Sequence, residues 1–338
     1  MVKSNVPEKE ILCYNERDLD ETGCDPLENL LLSLRVVFPM FFMLALGYGI
    51  QRANIVSEEI LNGCSALVFQ IILPIHMFVN ISKTTLAEAV DAKLILLTVG
   101  TTFGFWLLGM LVIPRLEKDD RKRASMIQGV FRSNYVLFGS VIAGTIAGEA
   151  AAGTAALVVA VAVPTYNVLS VVTMEFFRGG KPNAGNMLRG IAKNPLILAA
   201  VFGVLWLLTG LKMPDILRKA LGDVAGIATP LAIIALGGTF HFSALRGNLK
   251  QLTIVVTGKL LVMPLLVMSV GVLAGLRGSS LAVLLGTCAT PTSVSSFPMA
   301  QRMGADGELA GQIVVFNTML SVLTIFLWVL VLSNLELV

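Results

Sequence analysis

The chain has 338 residues, of which 55% are hydrophobic and 14% charged, and its formal net charge is +3. An ordinary soluble domain carries about 25% charged residues, so a soluble enzyme is excluded. The charge is too small and too scattered to indicate nucleic acid as a partner.

Residues 1–30 form a polar, acidic extension with eight Asp/Glu against three Lys/Arg. It lacks an apolar core, so no cleavable leader is expected. Ten apolar segments follow, at 31–51, 58–81, 92–114, 123–147 and 151–176, then 194–211, 214–241, 249–275, 280–300 and 307–333. A helix of about 20 apolar residues crosses a hydrocarbon layer roughly 30 Å thick. Helices are expected because each backbone polar group in lipid must be satisfied within its own segment. The expected fold is therefore an all-α integral membrane protein of about ten transmembrane helices. The polar interval 177–193 divides it into a first five-helix repeat (31–176) and a second (194–333). Connections after odd-numbered segments hold 13 Lys/Arg and the opposite side 9, which places the 177–193 linker in the cytoplasm and both termini outside it.

Segments 5 and 10 match in sequence. Gly148-Glu149 opens one and Gly307-Glu308 the other; Tyr166-Asn167 is answered by Phe316-Asn317, and Ser170 by Ser321. Pro74 in segment 2 corresponds to Pro230 in segment 7. An odd number of crossings per repeat makes the second copy inverted, an architecture of secondary transporters.

Segments 4 and 9 hold the polar residues that lipid penalises. Segment 4 reads Phe131-Arg132-Ser133-Asn134 and then Gly139; segment 9 carries Thr290-Pro291-Thr292-Ser293 and then Pro298. Breaks are expected at Gly139, Pro291 and Pro298, with freed N–H groups aimed at an anion. The plainer reading is a pair of kinked packing helices. Arg132 stands nine residues past Arg123, or about 13 Å deeper at 1.5 Å per residue, and Lys259 lies nine past Lys250. No span carries a central Asp or Glu to pair with them. Two deep cations without a carboxylate point to an anionic substrate, the alternative being that both snorkel or bond to carbonyls. Arg132, Ser133, Asn134, Lys259, Thr290, Pro291, Thr292 and Ser293 are thus the candidate substrate-binding set. His76 is a weaker candidate for a proton relay. Asn167 and Asn317 are read as helix-to-helix hydrogen bonds. Cys64 and Cys288 are read as packing residues, and Cys13 and Cys24 lie in the tail. No nucleotide loop, catalytic triad or metal-ligand spacing is present, so neither cofactor nor metal is expected.

These residues resemble the auxin efflux carrier family, which includes plant auxin transporters and bacterial malonate and malate permeases. The likeness covers nearly everything after residue 30. It rests on Phe131-Arg132-Ser133-Asn134, Val163-Pro164-Thr165-Tyr166-Asn167, Lys193-Asn194-Pro195-Leu196, Pro230-Leu231-Ala232, Pro291-Thr292-Ser293-Val294-Ser295-Ser296-Phe297 and Ala310-Gly311-Gln312. The resemblance implies two inverted five-helix repeats with segments 4 and 9 broken and crossing. It also implies a homodimer through segments 1, 2, 6 and 7, and transport of a small organic anion across the cell membrane. Val141 stands where the family pattern often has Pro, which leaves the first break to Asn134 and Gly139. Two other functions compete: a membrane receptor for carboxylates, and an ion-coupled symporter resembling bile-acid carriers. Short loops argue against the first, and the absence of central carboxylates against the second.

Overall fold

The computed structural model describes residues 26–82, 92–147, 149–178, 184–211 and 213–338. Cys13 and Cys24 lie outside these residues. Among the described residues all regular structure is helical. The helices are α1 (Pro26–Arg52), α2 (Glu58–Ser82), α3 (Ala92–Leu116), α4 (Asp120–Phe131), α5 (135–147), α6 (Glu149–Phe176) and α7 (Ala184–Lys193). They continue with α8 (Pro195–Thr209), α9 (Asp215–Gly238), α10 (Phe242–Leu273), α11 (Gly278–Cys288), α12 (Ser296–Met303) and α13 (Gly307–Asn334).

Among the described residues, six stretches are long and apolar enough to cross a membrane: α2, α3, Leu157–Phe176 of α6, α9, α10 and α13. Their outward faces are apolar too, with Ile71, Leu111, Ile216, Leu265 and Leu323 all exposed. That surface suits hydrocarbon rather than water.

Helix boundaries follow local chemistry. Asp119 caps α4 by accepting the Arg121 N–H at 2.8 Å, and Asp306 caps α13 by accepting from Leu309 at 2.9 Å. Two elements differ from the sequence expectation. Helix α1 is described from Pro26 onward, so it reaches into the expected extension. The expected linker 177–193 contains α7; Asn194 then accepts the Leu196 N–H at 3.0 Å and Pro195 starts a separate helix.

The helices pack as two groups. In one, α1 packs on α9, and α2 packs on both α8 and α9. Glycines allow the α1–α9 approach: a Cβ on Gly47 would strike the Ile234 carbonyl, and one on Gly237 the Leu44 carbonyl. In the other group α3 packs on α4 and α6, α5 on α6 and α11, and α13 on α4, α10 and α12. Helix α13 also touches α1, joining the groups.

Two π turns precede prolines by the same interval. Val68–Ile72 ends two residues before Pro74, and Gly258–Val262 two before Pro264. A proline cannot donate to the carbonyl four residues back. For Pro264 that carbonyl belongs to Leu260, and it accepts from the Trp328 indole at 3.1 Å instead. The π turn at Gly258–Val262 carries Lys259 toward the first helix break.

Candidate functional site

The chain between α4 and α5 is three residues, Arg132-Ser133-Asn134, and between α11 and α12 it is 289–295. Arg132 is extended at φ −82° and ψ 123°, which stops α4. The two interruptions meet: the Asn134 N–H donates to the Pro291 carbonyl at 2.8 Å. Each also satisfies carbonyls released by the other helix. Thr292 Oγ1 donates to the Gly129 carbonyl of α4 at 2.6 Å, and Ser133 Oγ donates to the Thr287 carbonyl of α11. Gln128 Nε2 adds a bond to the Ser296 carbonyl at 3.0 Å. Buried backbone groups are thus paired where regular helix is absent, as a lipid setting demands.

Beyond the loops, α5 and α11 touch through two glycines. A Cβ on Gly286 would lie 2.7 Å from the Gly139 carbonyl, and one on Gly139 would lie 2.8 Å from the Gly286 carbonyl. Gly139 therefore permits close crossing; the interruption itself falls before it, at Arg132-Ser133-Asn134. Pro298 lies within the first turn of α12, after the second interruption.

A cavity of about 500 Å³ adjoins the crossing. Arg132, Ser133, Asn134 and Ser293 of the candidate set line it, together with His76. Arg132 is 3% exposed. Its Nη2 donates to Asn167 Oδ1 and Ser295 Oγ, both at 2.6 Å, and its Nη1 contacts Met299 Sδ at 3.0 Å. Among the described residues no carboxylate lines the cavity, and none forms an ion pair with Arg132 or Lys259. The Nδ2 of Asn134 is a buried donor without a hydrogen-bond partner. A pocket holding an uncompensated cation and an unused amide donor suits an anion, since both groups are costly to bury unpaired.

The other candidates lie away from this cavity. Lys259 is fully buried and donates to Ser133 Oγ and to Met263 Sδ, so it supports the first break from behind. Thr290 donates to the Gly286 carbonyl at 2.9 Å. Pro291 and Thr292 hold the crossing through the two bonds given above. Cys288 is buried and Cys64 half-buried, both unbridged.

The matched asparagines serve the two breaks in turn. Asn167 of α6 accepts from Arg132 at the first, and Asn317 of α13 donates to Thr292 Oγ1 at 2.7 Å at the second. Sequence reasoning assigned them to helix contacts; Asn167 also lines the cavity and orients Arg132. Ser295, Tyr166, Asn80 and Thr229, likewise on the lining, stand outside the candidate substrate-binding set. Two of them carried a sequence signal, Ser295 in the hydroxyl run after Pro291 and Tyr166 beside Asn167 in the repeat and the family motif.

Membrane-length helices with apolar outer faces, enclosing a donor-rich cavity at two interrupted helices, define a multi-pass membrane protein. Residues 32–329 match the membrane transport protein family, and the chain belongs to that family, the auxin efflux carriers expected from its motifs. Among its relatives is a Rhizobium meliloti (strain 1021) protein named "Putative malonate transporter", 27% identical over 299 residues, covering 86% of this chain and 92% of the relative. An uncharacterized transporter of Methanothermobacter thermautotrophicus is 24% identical over 307 residues, covering 89% and 98%. Another, from Escherichia coli (strain K12), is 24% identical over 312 residues, covering 87% and 96%.

Proposed function

We propose that the protein is a secondary transporter for small organic anions, carboxylates of the malonate or malate kind, working by alternating access in the cell membrane. The observation that carries this reading is Arg132: a buried guanidinium on a cavity wall with neutral partners only. Even on a lenient scale a cation at mid-membrane costs about 2.5–3.5 kcal/mol, and a bound carboxylate would offset that cost. The relative named for malonate supports the substrate class.

In this reading the chain forms ten crossings as two inverted repeats. Segments 4 and 9 are the pairs α4–α5 and α11–α12, and the parallel roles of Asn167 and Asn317 support the pairing. The group α1, α2, α8 and α9 is the scaffold, through which a homodimer would form, and the crossing helices move against it. Both termini lie outside the cytoplasm. Uptake of labelled malonate into proteoliposomes tests the function. Saturable uptake that is lost in Arg132→Gln is expected; binding without uptake would make the protein a receptor, and no carboxylate binding would overturn the reading.

A further inference from the structure

The cavity has two chemically distinct walls. One is the pair of crossing loops, which supply Arg132, Asn134, Ser293 and Ser295; the other includes α2, which supplies His76 and Asn80. These walls belong to different helix groups. They are close at one point, because Met77, the residue after His76, receives Asn167 Nδ2 at 3.4 Å, and that same amide holds Arg132. The Asn80 amide lies 3.3 Å from His76 Nε2, one turn along α2: its Nδ2 donates to the neutral ring, and turned over its Oδ1 accepts from the imidazolium.

Charge is scarce around the cavity. Among the described residues its titratable lining groups are Arg132, Tyr135 and Tyr166 from the loop and from α5 and α6, and His76 from α2; the portions of α1, α8 and α9 on the lining contribute none. Asp223, Lys219, Arg218 and Asp215 of α9 are exposed and off the lining. Lys259 is held behind Ser133. A monocarboxylate is matched by Arg132 alone. A dicarboxylate brings a second negative charge into a space walled largely by Met40, Met43, Leu73, Leu137 and Val294. Burying that charge unpaired is costly, and apart from Arg132 only His76 on the lining can become a cation near neutral pH.

Resting on the transport reading above, we infer that His76 is the second anion anchor of the cavity, so that the substrate class is a short dicarboxylate bridging Arg132 and His76, bound together with one proton. Binding and protonation are linked and reciprocal: the dianion favours the imidazolium, and the imidazolium favours the dianion. Because binding takes up a proton, affinity for the dianion rises as pH falls.

The test uses the full-length protein in nanodiscs, titrated calorimetrically with malonate and with propionate, its monocarboxylate analogue. The range runs from about pH 6.5 to about pH 8.5, spanning ordinary imidazole titration. Repeating the malonate titration in buffers of different ionisation heat counts the protons taken up. The wild-type protein is expected to prefer malonate, to take up a proton on binding it, and to lose about tenfold in malonate affinity across the range, as one linked proton permits. His76→Gln is expected to lower malonate affinity about tenfold more than propionate affinity near pH 6.5, the scale of one charge-assisted hydrogen bond, and to abolish proton uptake. Malonate preference and proton uptake that persist in His76→Gln would overturn the inference while leaving the transport reading intact. So would malonate binding by the wild type without proton uptake, a result that needs no variant to fold. Failure of both acids to bind wild type would defeat the transport reading itself, and the inference with it.

Discussion

Replacing Arg132 by Gln separates a binding role from a structural one. The guanidinium makes two hydrogen bonds to neutral oxygens, both at 2.6 Å, and one contact to a thioether. Hydrogen bonds to a charged group contribute about 1.5–3 kcal/mol each, so losing two costs roughly 3–6 kcal/mol of folding stability. Removing a buried cation returns about 2.5–3.5 kcal/mol on the lenient membrane scale, and the Gln amide can remake one bond. Folding should therefore weaken by no more than about 3 kcal/mol. An anion in the cavity has no such compensation. It loses its only permanent counter-charge, and two charge-assisted bonds at the low end amount to about 3 kcal/mol, or roughly 100-fold in Kd. Thermal stability in detergent and malonate calorimetry on the same preparation give the two numbers. A variant that unfolds readily yet binds malonate with native affinity would make Arg132 a structural residue and refute the argument.

Gly286→Ala would set a Cβ 2.7 Å from the Gly139 carbonyl; backbone cannot yield as a side-chain tip can, so a loss of about 1–3 kcal/mol is expected, read as a lower melting temperature, and an unchanged one would mean the helices separate freely. Single cysteines at Lys118 and Arg277, in a cysteine-free background, should label from opposite faces of sealed vesicles; labelling from one face would break the ten-crossing reading. Transport should proceed with sodium replaced by choline, because among the described residues no carboxylate lines the cavity to hold that ion. It should also respond to an imposed potential, which acts with about 2.3 kcal/mol per charge per 100 mV; strict sodium dependence or indifference to voltage would contradict the charge inventory.

The helical segments were legible because their signal is local. Runs of apolar residues of membrane length leave the backbone no option but helix, so α2, α3, α10 and α13 lie where hydropathy put them. The start at Asn194-Pro195 was legible too, while α7 falls in the stretch read as a polar linker and α1 reaches back into the stretch read as an extension. The position of the first interruption was less legible. Glycine suggested a break at Gly139, yet that residue's missing side chain serves an approach to Gly286, a partner distant in sequence.

What the sequence determined by itself was the membrane class, the family, and the pairing of polar residues on segments 4 and 9, since composition and motif need no partner to be read. What only the tertiary structure decided was which of those residues share a space. Arg132 and Lys259 look alike in depth and isolation, but one lines the cavity and the other is buried behind Ser133. Asn167 reaches Arg132 while Asn317 reaches Thr292, and His76 joins the cavity across a gap of more than fifty residues. Side-chain direction and long-range contact set those outcomes, and neither is encoded in the spacing of one helix.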